Sequence, residues 1–178
     1  RQNSQTALFA VGDDWQAIYR FSGAEMTLTT AFHHYFGEGD RCVLDTTYRF
    51  NQRIGEVANR FVQSNPHQLK KPLNSLTKGS AKAVQLLPDD QLEALLNKMS
   101  GYVKSGERVL LLARYHYLRP PLLDKAATRW PNLTLDFMTI HASKGQQADY
   151  VILLGLSAGK EGFPAAAQIG RAAGRDRV

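Results

Sequence analysis

Strand-like apolar runs recur in this chain at residues 8–11, 41–44, 83–87, 108–113, 133–140 and 150–154, with stretches of helical period between them. Short apolar runs of this kind fit strands covered on both faces, as in a parallel sheet. The intervening segments carry one-sided stripes. Residues 25–35 space Leu28, Ala31, Phe32 and Tyr35 for a helix, which the Gly37 to Asp40 stretch ends. Asn51 can cap a helix that buries a stripe of Ile54, Val57, Ala58, Phe61 and Val62. Asp90 with Glu93 forms a variant capping box for a helix with Leu92, Leu95, Leu96 and Met99 inward, and Pro120 and Pro121 fit the first turn of another. Strands alternating with helices at short intervals predict βα units, an α/β class and a parallel sheet. Asn-Gly and Asp-Gly hairpin turns are absent, which argues against an all-β sandwich.

A length of 178 residues suits one domain, or one domain with a piece of another, and 43% apolar residues suffice for a core. The 22 Lys and Arg exceed the 16 Asp and Glu, giving +6. That balance favours polyanionic partners without identifying them. The single cysteine, Cys42, excludes an internal disulfide, suits a reducing compartment and reads as a core residue within its apolar run. No run approaches the roughly 18 apolar residues of a membrane helix, and the polar start is no signal peptide, so a cytoplasmic setting without a membrane is expected. His33 and His34 are adjacent and would point apart on a helix, and His141 has no His or Cys at ligand spacing, so no metal site is expected. Residues 67–82 read as a solvated connection.

Three stretches carry the chemistry. The first is Val-Gly-Asp-Asp-Trp-Gln-Ala-Ile-Tyr-Arg-Phe-Ser-Gly-Ala at 11–24, which leaves the first apolar run where open α/β sheets place their ligands. Gln16 both donates and accepts hydrogen bonds, while Tyr19 and Phe21 offer flat rings or, on spacing alone, ordinary core aromatics. The second is Thr47-Tyr48-Arg49-Phe50, where a ring sits beside a permanently charged fork, a pairing suited to a base and a phosphate. A half-buried Tyr with a surface Arg is the plainer alternative. The third runs from Phe137 to Gly155 and delivers Thr139 and His141 to a turn. There Ser143, Lys144 and Gly145 would let backbone amides approach phosphates.

In this order the stretches resemble motifs III, IV and V of the UvrD/Rep-type superfamily 1 DNA helicases, densely in III and V. The resemblance covers most of the chain. It implies a RecA-like fold and ATP hydrolysis coupled to movement on single-stranded DNA and unwinding of duplex DNA. It gives Gln16 and Arg49 catalytic contacts with the ATP γ-phosphate, Tyr48 the adenine and Gln147 the ribose. Tyr19, Phe21, Thr139, His141 and Lys144 would meet DNA. Where the family has Glu, this chain has Gln147, which keeps a hydrogen bond without charge. Phe21 stands where Trp is frequent, and Ser22 where Arg is common.

The apolar strand and acidic pair Asp13-Asp14 imitate a Mg²⁺ site, and 155–161 imitates a phosphate loop one residue short without the Ser or Thr after Lys160. Neither is read as such. The resemblance therefore implies that ATP and Mg²⁺ are held mainly by a missing N-terminal motor domain of the same protein. Residues 1–36 would be the last piece of that first RecA-like domain. Residues 37–178 would be the second, ending before motif VI and lacking the accessory domain that some members insert between motifs IV and V. On this reading the whole protein is an enzyme, and the isolated chain is expected to be inactive. The competing expectation is a non-catalytic, basic nucleic-acid-binding module.

Overall fold

The computed structural model describes residues 7–16, 27–64, 74–79 and 83–159. It divides into two compact units, Arg1–Gln85 and Leu86–Val178.

In the second unit the architecture follows from one buried strand. β3 (Arg108–Ala113) is accessible only at its first residue, and on either side lie β4 (Thr134–Thr139) and β5 (Tyr150–Leu153), both parallel to it. Arg108 to Ala113 pair with Thr134 to Thr139, and Val109 to Leu112 pair with Tyr150 to Leu153. Flanked on both edges, β3 satisfies its backbone within the sheet. Its unbroken Val-Leu-Leu-Leu run therefore buries without polar cost.

One face of the sheet is covered by α4 (Leu92–Met99), whose Leu96 and Met99 join Val103, Val109, Leu111, Leu123 and Trp130 in a single core. Trp130 is almost fully buried, and its indole N–H donates to Asn97 Oδ1 at 2.8 Å, so the one polar atom of that large side chain is satisfied. The prolines behave as expected. Pro120 and Pro121 open a 3-10 turn, Pro121–Lys125, which runs into α5 (Ala126–Arg129). Beside the start of β5, Tyr150 meets Tyr102 edge-on, and burial followed by the Glu107 carboxylate pushes its phenol above the ordinary value.

The expected capping box does not form. α4 starts from a 3-10 turn at Asp89–Gln91, with Gln91 at the cap making no side-chain bond. Glu93 instead pairs with Arg129, so the carboxylate that would reach back to the cap is drawn to α5.

In the first unit, α1 (Thr27–Thr30) and α2 (Phe32–Phe36) replace one expected helix, broken at Ala31, and Gly37 ends the pair at φ 84°. β1 (Thr46–Thr47) pairs in parallel with β2 (Asn74–Ser75). Asn51 caps α3 (Gln52–Val62) as predicted, its side-chain oxygen accepting from Ile54 N at 3.1 Å.

Three expected strands are absent. Residues 8–11, 41–44 and 83–87 form no ladder, and Phe9, Leu44 and Leu86 are 91%, 86% and 84% exposed. An apolar run signals a demand for burial, but a strand also needs a neighbour to take its N–H and C=O groups. Among the described residues of the first unit, the ladder joins only Thr46 and Thr47 to Asn74 and Ser75, just after the second of these runs. Cys42 is accordingly exposed, contrary to the core placement read from its run. The α3 stripe is likewise uncovered, with Phe61 81% exposed. The described part of the 67–82 segment is no loose connection either: it supplies β2 and the contacts that hold the start of α3.

Leu111, wholly buried at the centre of β3, should cost about 2–5 kcal/mol on truncation to Ala, measured by urea unfolding. Asn51→Ala should cost about 1 kcal/mol through the lost cap, with loss of helical signal in the first unit.

Candidate functional site

Gln16 sits in the first unit on a one-turn 3-10 helix, Asp14–Gln16, directly after Gly12 and Asp13. The Asp13 side chain organises that turn. One of its oxygens accepts from Trp15 N at 3.2 Å and the other from Gln16 Nε2 at 2.7 Å. A carboxylate three residues ahead thus orients an exposed amide that would otherwise sample several rotamers. Gly12 has its own reason: a Cβ there would lie 3.3 Å from the Thr29 side chain, so α1 comes close to the backbone at this point. The three-residue spacing from Asp13 to Gln16 is the sequence signal of this positioning role.

Tyr48 and Arg49 emerge at the end of β1. Tyr48 is 78% exposed and Arg49 is exposed, so the half-buried Tyr reading fails and the ring is available to a ligand. Their backbone is nevertheless held. Arg49 N donates to Thr47 Oγ1 at 3.3 Å, Ser75 Oγ donates to the Phe50 carbonyl at 2.6 Å, and Gln52 N donates to the Thr77 carbonyl at 2.9 Å. Gly79 approaches the Asn51 side chain so closely that a Cβ would stand 3.1 Å from it. The 74–79 segment therefore clasps the chain just after the Tyr-Arg pair. No local signal in residues 74–79 disclosed this, because the partner lies a full helix earlier in the sequence.

In the second unit, β3 and β4 end together, Ala113 opposite Thr139, and Ile140 N donates to the Ala113 carbonyl at 2.9 Å. The turn that follows carries exposed His141 and Lys144. Thr139 builds the turn: its hydroxyl accepts from Ala142 N at 3.2 Å and its carbonyl from Ser143 N at 3.0 Å. Gln146 N donates to the Ser143 carbonyl and Ser143 Oγ to the Ile140 carbonyl, both at 2.8 Å. The amides of Ala142, Ser143 and Gln146 are thus bonded inside the turn, and Lys144 N makes a longer bond of 3.4 Å to the His141 carbonyl. Gly145 permits the reversal at φ 84°.

Gln147 lies at the other end of the strands. Its carbonyl accepts from the Arg108 guanidinium at 3.1 Å, and Arg108 opens β3. The same guanidinium donates to Asp136 Oδ2 at 2.6 Å, while Asp149 Oδ2 accepts from Arg108 N at 2.8 Å. Residues 140–149 therefore cross back over the sheet, leaving Thr139, His141 and Lys144 at the carboxyl edge and Gln147 at the amino edge. Two ligand roles assigned within one short stretch are separated by the length of a strand. Tyr19 and Phe21 lie outside the described residues. Among the described residues no three His, Cys, Asp or Glu side chains stand together as a metal site, and no helix is long and apolar enough to cross a membrane.

The chain is 75% identical over 168 residues to DNA helicase IV of Escherichia coli K12, a match covering 94% of this chain and 25% of that protein. It is 34% identical over 70 residues to the ATP-dependent DNA helicase PcrA of Bacillus subtilis, covering 39% of this chain and 9% of that one. A probable DNA helicase II homolog of Mycoplasma capricolum is 29% identical over 112 residues, 62% of this chain and 14% of the other. No family model matches the chain, and no solved structure matches it. The chain spans about a quarter of the length of the E. coli relative. Motif order, the exposed Tyr-Arg pair and these likenesses agree: over the part of them that it spans, the chain is similar to UvrD/Rep-type superfamily 1 DNA helicases.

Proposed function

We propose that this chain is part of an ATP-dependent DNA helicase, contributing most of the second RecA-like motor domain and the last piece of the first. The observation that carries this is its 75% identity across 94% of its length to a DNA helicase. The domain change falls near residue 36, with residues 37–178 belonging to the second motor domain.

In this reading Tyr48 stacks on the adenine and Arg49 pairs with the γ-phosphate, where a fixed fork stabilises charge in the transition state. The 78% exposure of Tyr48, on a backbone pinned from both sides, supports that role. Gln16, oriented by Asp13, reaches the same phosphate and reports its presence to Tyr19 and Phe21, which stack on DNA bases. Gln147 contacts the ribose from the amino edge of the sheet. Thr139, His141 and Lys144 contact single-stranded DNA at the carboxyl edge, and separation of the two sets allows nucleotide and DNA to bind together. The remaining N-terminal motor domain supplies the phosphate loop and the acidic residues for Mg²⁺. ATP hydrolysis then drives translocation on single-stranded DNA and unwinding of duplex DNA.

The purified 178-residue chain should show no Mg²⁺-dependent ATP turnover, because positioning and metal supply most of phosphoryl-transfer catalysis. Turnover that Arg49→Ala abolishes would refute that assignment. In the full-length protein Arg49→Ala should lower kcat by about a hundredfold or more, while stability stays within about 0.5 kcal/mol because the guanidinium is exposed. Titration of single-stranded DNA with and without ATP separates a motor from a basic binding module: affinity that ignores nucleotide and responds only to salt favours the module.

A further inference from the structure

Beyond β3 the chain continues Arg114-Tyr115-His116-Tyr117-Leu118-Arg119, an extended residue followed by a 3-10 turn at His116–Leu118. The rings of Tyr115 and Tyr117 lie parallel, centroids 5.2 Å apart with 9° between planes. Core packing does not account for them, since Tyr117 is 66% exposed and Tyr115 36%. The pair is built firmly: His116 between them meets Phe137 of β4 edge-on at 6.3 Å, and Arg119 pairs with Asp124 at the next turn. Arg114 places its guanidinium 5.4 Å from the Tyr115 ring centre.

The location sharpens the meaning of these rings. Ala113 ends β3 opposite Thr139, so the tyrosine pair and the turn bearing His141 and Lys144 leave the same carboxyl edge on adjacent strands. Flat exposed rings beside cations match unstacked bases on a phosphate chain, each base having a π-face and each nucleotide a negative charge. An apolar protein partner would be met by less charge and would not need the rings parallel.

We propose that Tyr115 and Tyr117 form a nucleobase-stacking platform for single-stranded DNA at the carboxyl edge of the second unit's sheet. This rests on the DNA-binding reading above and adds a platform distinct from Tyr19 and Phe21. Arg114 and Lys144 supply the neighbouring charge.

The test uses the full-length protein carrying this segment, with anisotropy titrations of an oligothymidylate and of an abasic oligonucleotide of equal length. Tyr117→Ala should weaken oligothymidylate binding about tenfold and leave abasic binding and the salt slope unchanged. Tyr117→Trp should retain binding, and Tyr117→Leu, apolar but not flat, should lose it as Ala does. Equal loss for both oligonucleotides, no loss for either, or full binding by Tyr117→Leu would overturn the platform. Thermal unfolding of each variant keeps a folding defect from passing as a binding one, and Tyr117→Trp against Tyr117→Leu decides where Ala destabilises. If the unaltered protein binds neither oligonucleotide, the DNA-binding reading falls with the platform. If it binds both and every Tyr117 variant behaves alike, the platform alone falls.

Discussion

The parallel ladder that holds β3 between β4 and β5 is the constraint from which the second unit derives. Six consecutive residues can be almost wholly apolar only because every backbone donor and acceptor has a partner on one side or the other. With Leu111 and Val109 packed on α4 and Trp130, the strand becomes a rigid reference for both ends of the sheet. At one end it carries Arg108, tied to Asp136, Gln147 and Asp149. At the other it aligns Ala113 with Thr139 and so presents two neighbouring turns on one edge.

The polar contacts around the candidate residues share a pattern. Gln16, Tyr48, Arg49, His141 and Lys144 are exposed, and side chains or backbone next to them are bonded. Asp13 holds Gln16, Thr47 and Ser75 hold the segment around Tyr48 and Arg49, and Thr139 closes the turn that bears His141. Fixing the backbone removes conformational entropy before ligand arrives, so less is lost on binding. Surface ion pairs such as Arg119 with Asp124 do the same at the edge of the tyrosine pair, although each adds little to overall stability.

The second unit was largely legible in the sequence. Its strands, its helix stripe of Leu92, Leu95, Leu96 and Met99 and its proline-led turn all form near the expected residues, because each element's pattern is satisfied by neighbours inside the unit. The first unit was read less well. The runs at 8–11 and 42–44 are apolar, as β5 is, but lack ladder partners among the described residues, and the α3 stripe lacks a cover. Identical local signals therefore led to different outcomes. The difference lay in what stood alongside.

Residue order alone determined the chemistry on offer: an amide at Gln16, a ring and fork at Tyr48 and Arg49, and a His-bearing turn after a strand. It also determined where helices and buried strands could begin, since caps, prolines and apolar period are local properties. Tertiary structure decided which groups are spent and which remain presented. It consumed the amides around Ser143 in a turn, carried Gln147 to the far end of the sheet, and set Tyr115 face to face with Tyr117. Those outcomes depend on hydrogen-bond partners and ring neighbours brought together by strand pairing and chain reversal, which spacing along the chain does not encode.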